Sequence, residues 1–155
     1  MVKTKTVTVN RRARRDYEVL EAYEAGLALE GSEIKAIREG RANLSDGYAA
    51  PRDGELWLEN VHIAPYSASA ARDNHEPKRP RKLLLHKREI RHLARSVSAK
   101  GLTIVPLRLY LKAGRAKVEL GLAKGLKRYD KRRAIIDRER EREARAALGR
   151  RQREG

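Results

Sequence analysis

The sequence predicts a mainly β protein, a small antiparallel barrel with two or three short α-helices and a basic C-terminal tail. Three observations support this prediction. Apolar and polar residues alternate along several short segments, most clearly between Thr103 and Leu122. Gly26 interrupts one such segment, and a glycine inside a strand is typical of the bends that curl a sheet. Residues 123–155 are rich in arginine and glutamate and lack the apolar periodicity of a core element.

The first third of the chain predicts a helix, a strand and a second helix. Asn10 can cap a short basic helix over residues 11–16. An alternating pattern then predicts a strand within residues 17–29, bent or bulged at its glycine. Ser32 is the predicted N-cap of a second short helix, which Gly40 is expected to end.

The middle of the chain predicts a hairpin, a loop and a helix. The turn at residues 51–54 joins a strand that contains Tyr48 to one that begins near Leu56. Residues 67–82 are polar, small or basic, which predicts a mobile basic loop. Apolar residues recur at helical spacing over 84–97, so this segment is predicted to be a helix.

The last third predicts a β-hairpin and a charged tail. Gly101 is expected to end the preceding helix, and two alternating strands then follow with a turn at residues 112–115. Residues 131–148 contain strong helix formers but only a few apolar side chains. An isolated helix of this composition is marginal in water, so we expect this tail to be disordered when free and helical when bound.

Positive charge is segregated along the chain. The protein has 37 Lys and Arg against 21 Asp and Glu, a net charge of +16. Residues 1–16 hold 6 basic and 1 acidic side chains, residues 72–95 hold 9 and 3, and residues 123–155 hold 13 and 6. We therefore predict three parts: a basic N-terminal arm (1–16), a nearly neutral barrel domain (17–122) and a basic tail (123–155). Three separate basic stretches favour a polyanion partner, and long RNA is the natural candidate.

Several functional classes find no support in the composition. There is no cysteine, so thiolate metal sites and disulfides are excluded, and a reducing cytoplasm is the expected location. No apolar run approaches the ~20 residues of a membrane span. His86 and His92 are six residues apart and would diverge on one helix, which disfavours a metal site. No phosphate-binding loop or catalytic grouping is evident, so we expect neither an enzyme nor a cofactor.

The aromatic content indicates which kind of RNA is bound. With six Tyr, one Trp and no Phe, the chain lacks the stacking platforms typical of single-strand recognition. We therefore expect folded RNA to be recognised through its shape and backbone. Among small barrels that bind nucleic acid, the oligonucleotide-binding (OB) type is the default choice, although the strand pattern alone does not distinguish it. Tyr129 lies alone among cations, where stacking on a base is plausible.

Several stretches in a fixed order make the chain resemble a known family. It is similar to small protein B, the tmRNA-binding (SsrA-binding) family of bacterial trans-translation. Each stretch is weak alone, but their order and spacing together are specific. The stretches are Asn10-Arg11-Arg12-Ala13, Tyr23-Glu24-Ala25-Gly26-Leu27-Ala28-Leu29, Glu33-Ile34-Lys35, Arg81-Lys82-Leu83-Leu84-Leu85-His86-Lys87, Lys100-Gly101-Leu102-Thr103-Ile104-Val105-Pro106-Leu107, Gly121-Leu122-Ala123-Lys124-Gly125 and Tyr129-Asp130-Lys131-Arg132.

The resemblance implies a fold, a function and partners. Members have an OB-type barrel that binds the tRNA-like domain of tmRNA, one monomer per tmRNA. Their tail enters the empty mRNA channel of a stalled ribosome, becomes helical there and permits ribosome rescue and peptide tagging. Asn10, Glu24 and Leu84 match the tmRNA-contacting positions, and Arg11, Lys82 and Lys124 are expected to assist them. The expected ribosome-binding tail residues are Lys127, Arg128, Tyr129, Asp130, Lys131 and Arg132.

Some alternatives stay open at this point. Leu84 could either press on an unstacked RNA base or belong to the core. Leu126 stands where the family usually has lysine, which removes one candidate phosphate contact. A structural ribosomal protein with a basic tail is the alternative function, because small barrels with such tails are common on ribosomes. A nuclease would be a third class, and it would require a metal-binding carboxylate cluster.

Overall fold

β-Strands dominate the computed structural model, which describes residues 3–69, 73–126, 136 and 138–146. The helices are α1 (Arg11–Asp16), α2 (Gly31–Arg38) and α3 (Lys87–Lys100), and residues 138–146 are also helical. The strands are β1 (Thr4–Val9), β2 (Tyr17–Leu27), β3 (Ala42–Asn43), β4 (Tyr48–Arg52), β5 (Glu55–Glu59), β6 (His62–Ile63), β7 (Arg81–Leu84), β8 (Thr103–Lys112) and β9 (Arg115–Gly125). The mainly β class with a few helices is therefore confirmed.

Seven strands form one antiparallel sheet in the order β1-β8-β4-β5-β7-β2-β9. Because β9 also pairs with β8, six of these strands are hydrogen-bonded in a closed ring, with β1 attached to β8 outside it. Strands β3 and β6 pair separately. The ring brings strands that are distant in sequence, such as β2 and β7, side by side.

Two hairpin turns follow directly from the sequence. β4 and β5 are joined through Asp53 and Gly54, and β8 and β9 through Ala113 and Gly114. All four residues have φ angles between 52° and 76°, as two-residue hairpins with the right-handed strand twist require. Both predicted turns are confirmed.

One apolar core lies inside the ring. It is filled from the inward positions of the strands and by α3, which contributes Ile90 and Leu93. The alternation in β8 and β9 explains this arrangement, since successive strand residues point to opposite faces. Further buried members are Leu56, Leu58, Leu83, Ile104, Leu109, Val118 and Leu120.

The first helix and its cap are confirmed. Asn10 precedes α1, and its Oδ1 accepts a hydrogen bond from the Ala13 N–H at 3.1 Å. This bond satisfies one of the donors that a helix N-terminus leaves unpaired. The end of α3 is confirmed as well, because Gly101 adopts the left-handed conformation there.

The predicted cap of the second helix is wrong. Glu30 is the N-cap of α2, and its N–H donates to Glu33 Oε1 at 2.9 Å. Ser32 Oγ lies instead 2.8 Å from Nδ1 of His75, forty-three residues away in sequence. This long-range, buried contact decided the role of Ser32, and no local pattern could have shown it.

The predicted bend in the second strand is also displaced. The register of β2 against β9 shifts between Val19 and Glu21, whereas Gly26 is paired regularly on both sides. At Gly26 the strand has neighbours on two edges at once, β7 through Leu84 and β9 through Lys117. Gly26 therefore allows side chains of the neighbouring strands to approach closely, and the irregularity of β2 is a bulge between Val19 and Glu21.

The predicted mobile basic loop is wrong at its C-terminal end. Residues 81–84 form β7 inside the ring, and both His75 and Arg81 are buried. α3 begins only at Lys87, after His86 as its N-cap, so the predicted helical start at residue 84 is wrong too. Arginine suggested a surface position, but the buried carboxylate of Glu33 faces Arg81. Residues 70–72 lie outside the described part.

Besides β7, three further strands were not predicted, and the tail is described only in part. β1 falls in the predicted basic arm, while β3 and β6 contain two residues each. Residues 138–146 are helical and exposed, and Arg138 Nη2 donates to the Arg14 carbonyl oxygen at 2.9 Å. In the described ranges, no helix has the length and apolar character that crossing a membrane would demand.

Candidate nucleic-acid interface

A surface groove of about 520 Å³ brings together three of the predicted RNA-contacting residues. Glu24 on β2 and Lys82 and Leu84 on β7 all line it. Sixty residues separate Glu24 from Leu84, and the pairing of β2 with β7 makes them neighbours. The groove continues past His86 to the first turn of α3. It is therefore the strongest candidate for the predicted interface.

Gly26 allows the two strands to approach closely at the groove. A Cβ atom at this position would lie 3.3 Å from the Leu84 Cβ and 3.6 Å from Lys117 Nζ. The contact with Leu84 is tighter than ordinary packing, whereas the distance to Lys117 is not, so a side chain here would push the leucine outward. The glycine thereby sets the shape of the groove floor.

Leu84 presents an apolar side chain to solvent at the groove. It is 50% exposed, although its neighbour Leu83 points inward and is fully buried. The core interpretation of Leu84 is therefore wrong. A half-exposed leucine beside polar and basic groups provides an apolar surface for the face of an unstacked base.

Glu24 is held as a carboxylate by partners on β8. The Tyr110 hydroxyl donates a hydrogen bond to its Oε2, and Lys112 Nζ lies 3.3 Å from both carboxylate oxygens. The Tyr110 bond and the neighbouring Lys112 and Lys117 lower the pKa of Glu24. Glu24 is thus ionised and oriented at neutral pH, and its side chain is exposed enough to accept hydrogen bonds from a base edge or a ribose.

Tyr110 is itself fixed from several directions. It is only 3% exposed, and the Arg108 guanidinium lies over its ring at 4.2 Å from the centroid. Arg108 Nε is in turn 3.6 Å from Glu119 Oε2. Burial and the bond to Glu24 raise the pKa of Tyr110, so its hydroxyl stays protonated as a donor.

The groove is nearly balanced in charge. Its acidic residues are Glu24, Glu55 and Glu89, and its basic residues are Lys82, Lys87 and Lys117, with His86 beside them. Lys82 Nζ lies 3.7 Å from Glu55 Oε1. Such a mixed lining suits hydrogen bonding to bases and sugars better than phosphate attraction alone.

A buried ion pair fixes the strand that bears Lys82 and Leu84. Arg81 Nε donates to Glu33 Oε2, and both side chains are fully buried. Arg81 also donates to the carbonyl oxygens of Val61 and Pro77. Burial alone would raise the pKa of Glu33, but the Glu30 N–H and the Arg79 and Arg81 guanidiniums more than offset it, so its pKa is lowered.

Asn10 lies away from this groove and is occupied internally. It is 3% exposed, and its Nδ2 donates to the carbonyl oxygens of Leu44 at 3.1 Å and Pro106 at 2.8 Å. Its Oδ1 caps α1. A direct RNA contact by Asn10 stays a prediction, and the observed bonds give it the role of positioning α1.

The other predicted contacts occupy exposed positions outside the groove lining. Arg11 is exposed at the start of α1 and forms no ion pair with a described residue. Lys124 is exposed near the end of β9, opposite Glu18 of β2. The predicted ribosome-binding residues Lys127, Arg128, Tyr129, Asp130, Lys131 and Arg132 all lie outside the described residues.

Sequence reasoning missed Tyr110, Lys112 and Lys117 as partners of the interface. Each belongs to the alternating β8–β9 hairpin, where Tyr110 stands among leucines and the lysines resemble ordinary solvent-facing residues. A tyrosine in a buried strand usually needs a partner for its hydroxyl, and that was the available signal. In the ranges that the structure describes, no group of three or more His, Asp or Glu is placed to hold a metal ion.

The ring of antiparallel strands, the polar groove and the net charge of +16 define a small, basic β-sheet protein with a mixed-charge groove on its surface. Comparison with known families narrows this class. The family model described as "SmpB protein" matches residues 7–150, and the chain belongs to this family.

Curated relatives and a solved structure agree with this assignment. The SsrA-binding protein of Desulforudis audaxviator is 60% identical over 94% of this chain and 95% of its own length. The SsrA-binding protein of Roseiflexus sp. is 59% identical over 93% and 91%. A solved chain described as "tmRNA-SmpB: a journey to the center of the bacterial ribosome" is 51% identical with a TM-score of 0.66, covering 83% of this chain and 93% of that one.

Proposed function

We propose that the protein is an RNA-binding adaptor of trans-translation. It binds the tRNA-like domain of tmRNA, delivers it to stalled ribosomes and fills the empty decoding site and mRNA channel with its C-terminal tail. Ribosome rescue and peptide tagging follow. The names of the relatives support tmRNA, which is the SsrA RNA, as the partner, and the similar solved chain supports the ribosome.

The observation that supports this function most directly is the groove that joins Glu24, Lys82 and Leu84. We assign a separate role to each. The ionised Glu24 accepts hydrogen bonds from base edges or ribose, Leu84 lies against an unstacked base, and Lys82 contacts a phosphate. Arg11 and Lys124 add phosphate contacts from exposed positions, and Asn10 holds α1 in place.

The proposed function also assigns the parts of the chain. The predicted boundary between the barrel (17–122) and the tail (123–155) lies too early, because β9 runs to Gly125 and Ala123 is buried. We propose an N-terminal arm (1–16) whose strand β1 joins the sheet, an OB-type barrel that ends with β9, and a basic tail beyond it that is helical on the ribosome. The closed ring of six strands supports the barrel, and the helical residues 138–146 are compatible with a helical bound tail. In this role the protein acts in the cytoplasm as a monomer on each tmRNA, without cofactor or catalysis. Residues 127–132 provide its ribosome contacts.

Replacing Glu24 tests the groove. We expect Glu24→Ala to weaken binding to the isolated tRNA-like domain about 10- to 100-fold, because hydrogen bonds to a charged group are lost. The fold should persist, with a small loss of stability because the Tyr110 hydroxyl loses its partner. Calorimetric titration at fixed salt measures the affinity.

The matched control is Glu39→Ala, which removes an exposed carboxylate that is also paired with an arginine, outside the groove. The control should bind like the native protein. Unchanged affinity of Glu24→Ala, or an equal loss of affinity in the control, would contradict the proposed role of the groove in RNA binding.

A further inference from the structure

The helix α3 has an exposed row of arginines that the groove does not include. Arg88, Arg91 and Arg95 are spaced three and four residues apart, so they lie within about 60° of one another around the helix. The opposite face packs Ile90 and Leu93 into the core. The row is therefore fixed in direction by the fold and points to solvent.

These three arginines have no neutralising partner in the described residues. All are exposed, and none of their side chains forms an ion pair or hydrogen bond with a described residue. The only acidic residue of α3 is Glu89, which accepts a hydrogen bond from the His86 N–H at 3.1 Å. With five basic residues against this one, α3 has a net charge of +4 when His92 is neutral.

This arrangement opposes the stability of the helix. Like charges three or four residues apart cost about 0.2–0.5 kcal/mol per pair. Lys87 and Arg88 also occupy the first turn, where the helix dipole disfavours cations by about 0.3–1 kcal/mol. Glutamate or glutamine would fit the same exposed positions at lower cost. A charge pattern that weakens its own element and serves no packing role indicates a binding function.

The position of α3 indicates the partner. The first turn of α3 forms one end of the groove through Lys87 and Glu89, and the arginine row continues along the same helix. The groove is balanced in charge, so it supplies little of the phosphate attraction that RNA affinity requires. From Arg88 to Arg95 the helix rises about 10 Å, enough to meet more than one phosphate.

We propose that Arg88, Arg91 and Arg95 form a phosphate-binding surface that extends the groove and contacts the phosphate backbone of the folded RNA that the groove binds. The groove contributes selectivity, and the row contributes salt-dependent, sequence-independent affinity. This inference rests on the proposed function, because it takes the tRNA-like domain of tmRNA as the RNA in the groove.

The test compares two full-length variants that each lose two charges. Arg88→Gln/Arg95→Gln removes both ends of the row and keeps a strong helix former at each site. Arg38→Gln/Arg115→Gln removes two exposed arginines that are not in ion pairs with described residues and lie on other elements. Binding of each protein to the isolated tRNA-like domain is titrated across a range of salt concentrations.

We expect the row variant to bind about tenfold more weakly at 0.1 M salt, with the slope of log K against log salt less steep by about 1.4 to 1.8. The control should keep the native slope. Arg88→Lys/Arg95→Lys should retain it too, because charge and not guanidinium shape is at work. If the glutamine double variant fails to fold, the single variant Arg91→Gln takes its place and should make the slope less steep by about 0.7 to 0.9.

Native affinity and slope in the row variant would overturn the inference, as would an equal loss in the control. Binding of the same variants to empty ribosomes is measured in parallel by co-sedimentation. A loss of binding in that assay, with native binding to the tRNA-like domain, would overturn the inference as well, since the surface would then bind ribosomal RNA. If the native protein itself failed to bind the tRNA-like domain, the proposed function would fall, which is a distinguishable result.

Discussion

At the scale of single residues, Glu24 depends on Tyr110. The tyrosine is buried, and the Arg108 guanidinium stacks on its ring. A phenylalanine could occupy the same space, so the hydroxyl group is the part of Tyr110 that has a separate role. Its hydroxyl donates to the Glu24 carboxylate, and this bond, followed by the neighbouring Lys112, lowers the pKa of Glu24. Tyr110 is thus a positioning residue for the proposed RNA contact.

Tyr110→Phe tests this dependence through a pKa. Without the donated hydrogen bond, the pKa of Glu24 should rise toward its usual value, and RNA affinity should fall several-fold at neutral pH. NMR titration of the Glu24 carboxyl group measures the first effect and calorimetry the second.

The sign of the pH effect follows from the lowered pKa. The ionised, hydrogen-bonded Glu24 stabilises the native protein fully above its unfolded pKa, and this contribution is lost as pH falls through the lower folded pKa. In Tyr110→Phe, the part of the stability loss at low pH that comes from protonation of Glu24 should be smaller. An unaltered Glu24 titration would show that the hydroxyl does not act on the carboxylate.

At the scale of elements, β7 is a four-residue strand whose position depends on buried polar groups. Arg81 faces Glu33 of α2 across the fold, and the same strand presents Lys82 and Leu84 to the groove. A buried ion pair adds little net stability, but it is costly to break on one side only, because the remaining charge is left buried.

Glu33→Gln should therefore destabilise the protein by about 3–5 kcal/mol. Urea unfolding measures this loss, and hydrogen exchange should show reduced protection of the β7 amides. Glu30→Gln is the matched control, since this exposed carboxylate lies 3.7 Å from Arg79 and should change stability by less than about 1 kcal/mol.

The double variant Glu33→Gln/Arg81→Met distinguishes the destabilisation caused by an unpaired buried charge from that caused by lost packing. Removing both charges should recover part of the stability, because no unpaired ion then remains in the interior. Equal losses in the Glu33 and Glu30 variants would contradict the role of the buried pair.

At the scale of the whole molecule, the folded part and the tail are expected to act separately. β9 ends at Gly125, and the Leu126 N–H still donates to the Asp16 carbonyl oxygen at 3.0 Å. A truncation that removes residues 127–155 therefore leaves every hydrogen bond of the described ring in place.

The truncated protein should bind the tRNA-like domain nearly as well as the full chain and should fail to support peptide tagging on stalled ribosomes. A reconstituted translation assay measures tagging. Added in excess, the truncated protein should also inhibit tagging by the full chain, because it occupies tmRNA without completing rescue. Tagging by the truncated protein alone would contradict the role of the tail.

Features that depend on near neighbours in the chain could be predicted from the sequence. The Asn10 cap, the two hairpin turns and the end of α3 at Gly101 follow from backbone preferences of a few consecutive residues. The charge distribution and the family resemblance also lie wholly in the sequence, and they are sufficient to select Glu24, Lys82 and Leu84 as candidate RNA contacts.

How these residues meet depends on contacts between distant parts of the chain. The β2–β7 pairing places Glu24 near Leu84 and leaves the Leu84 side chain exposed and not in the core. The fold also buries Arg81, for which the local pattern predicts a loop. The partners Tyr110 and Lys112 come from a strand more than eighty residues away. Strand register and long-range ion pairs depend on the whole set of competing contacts, and no short stretch of sequence contains that information.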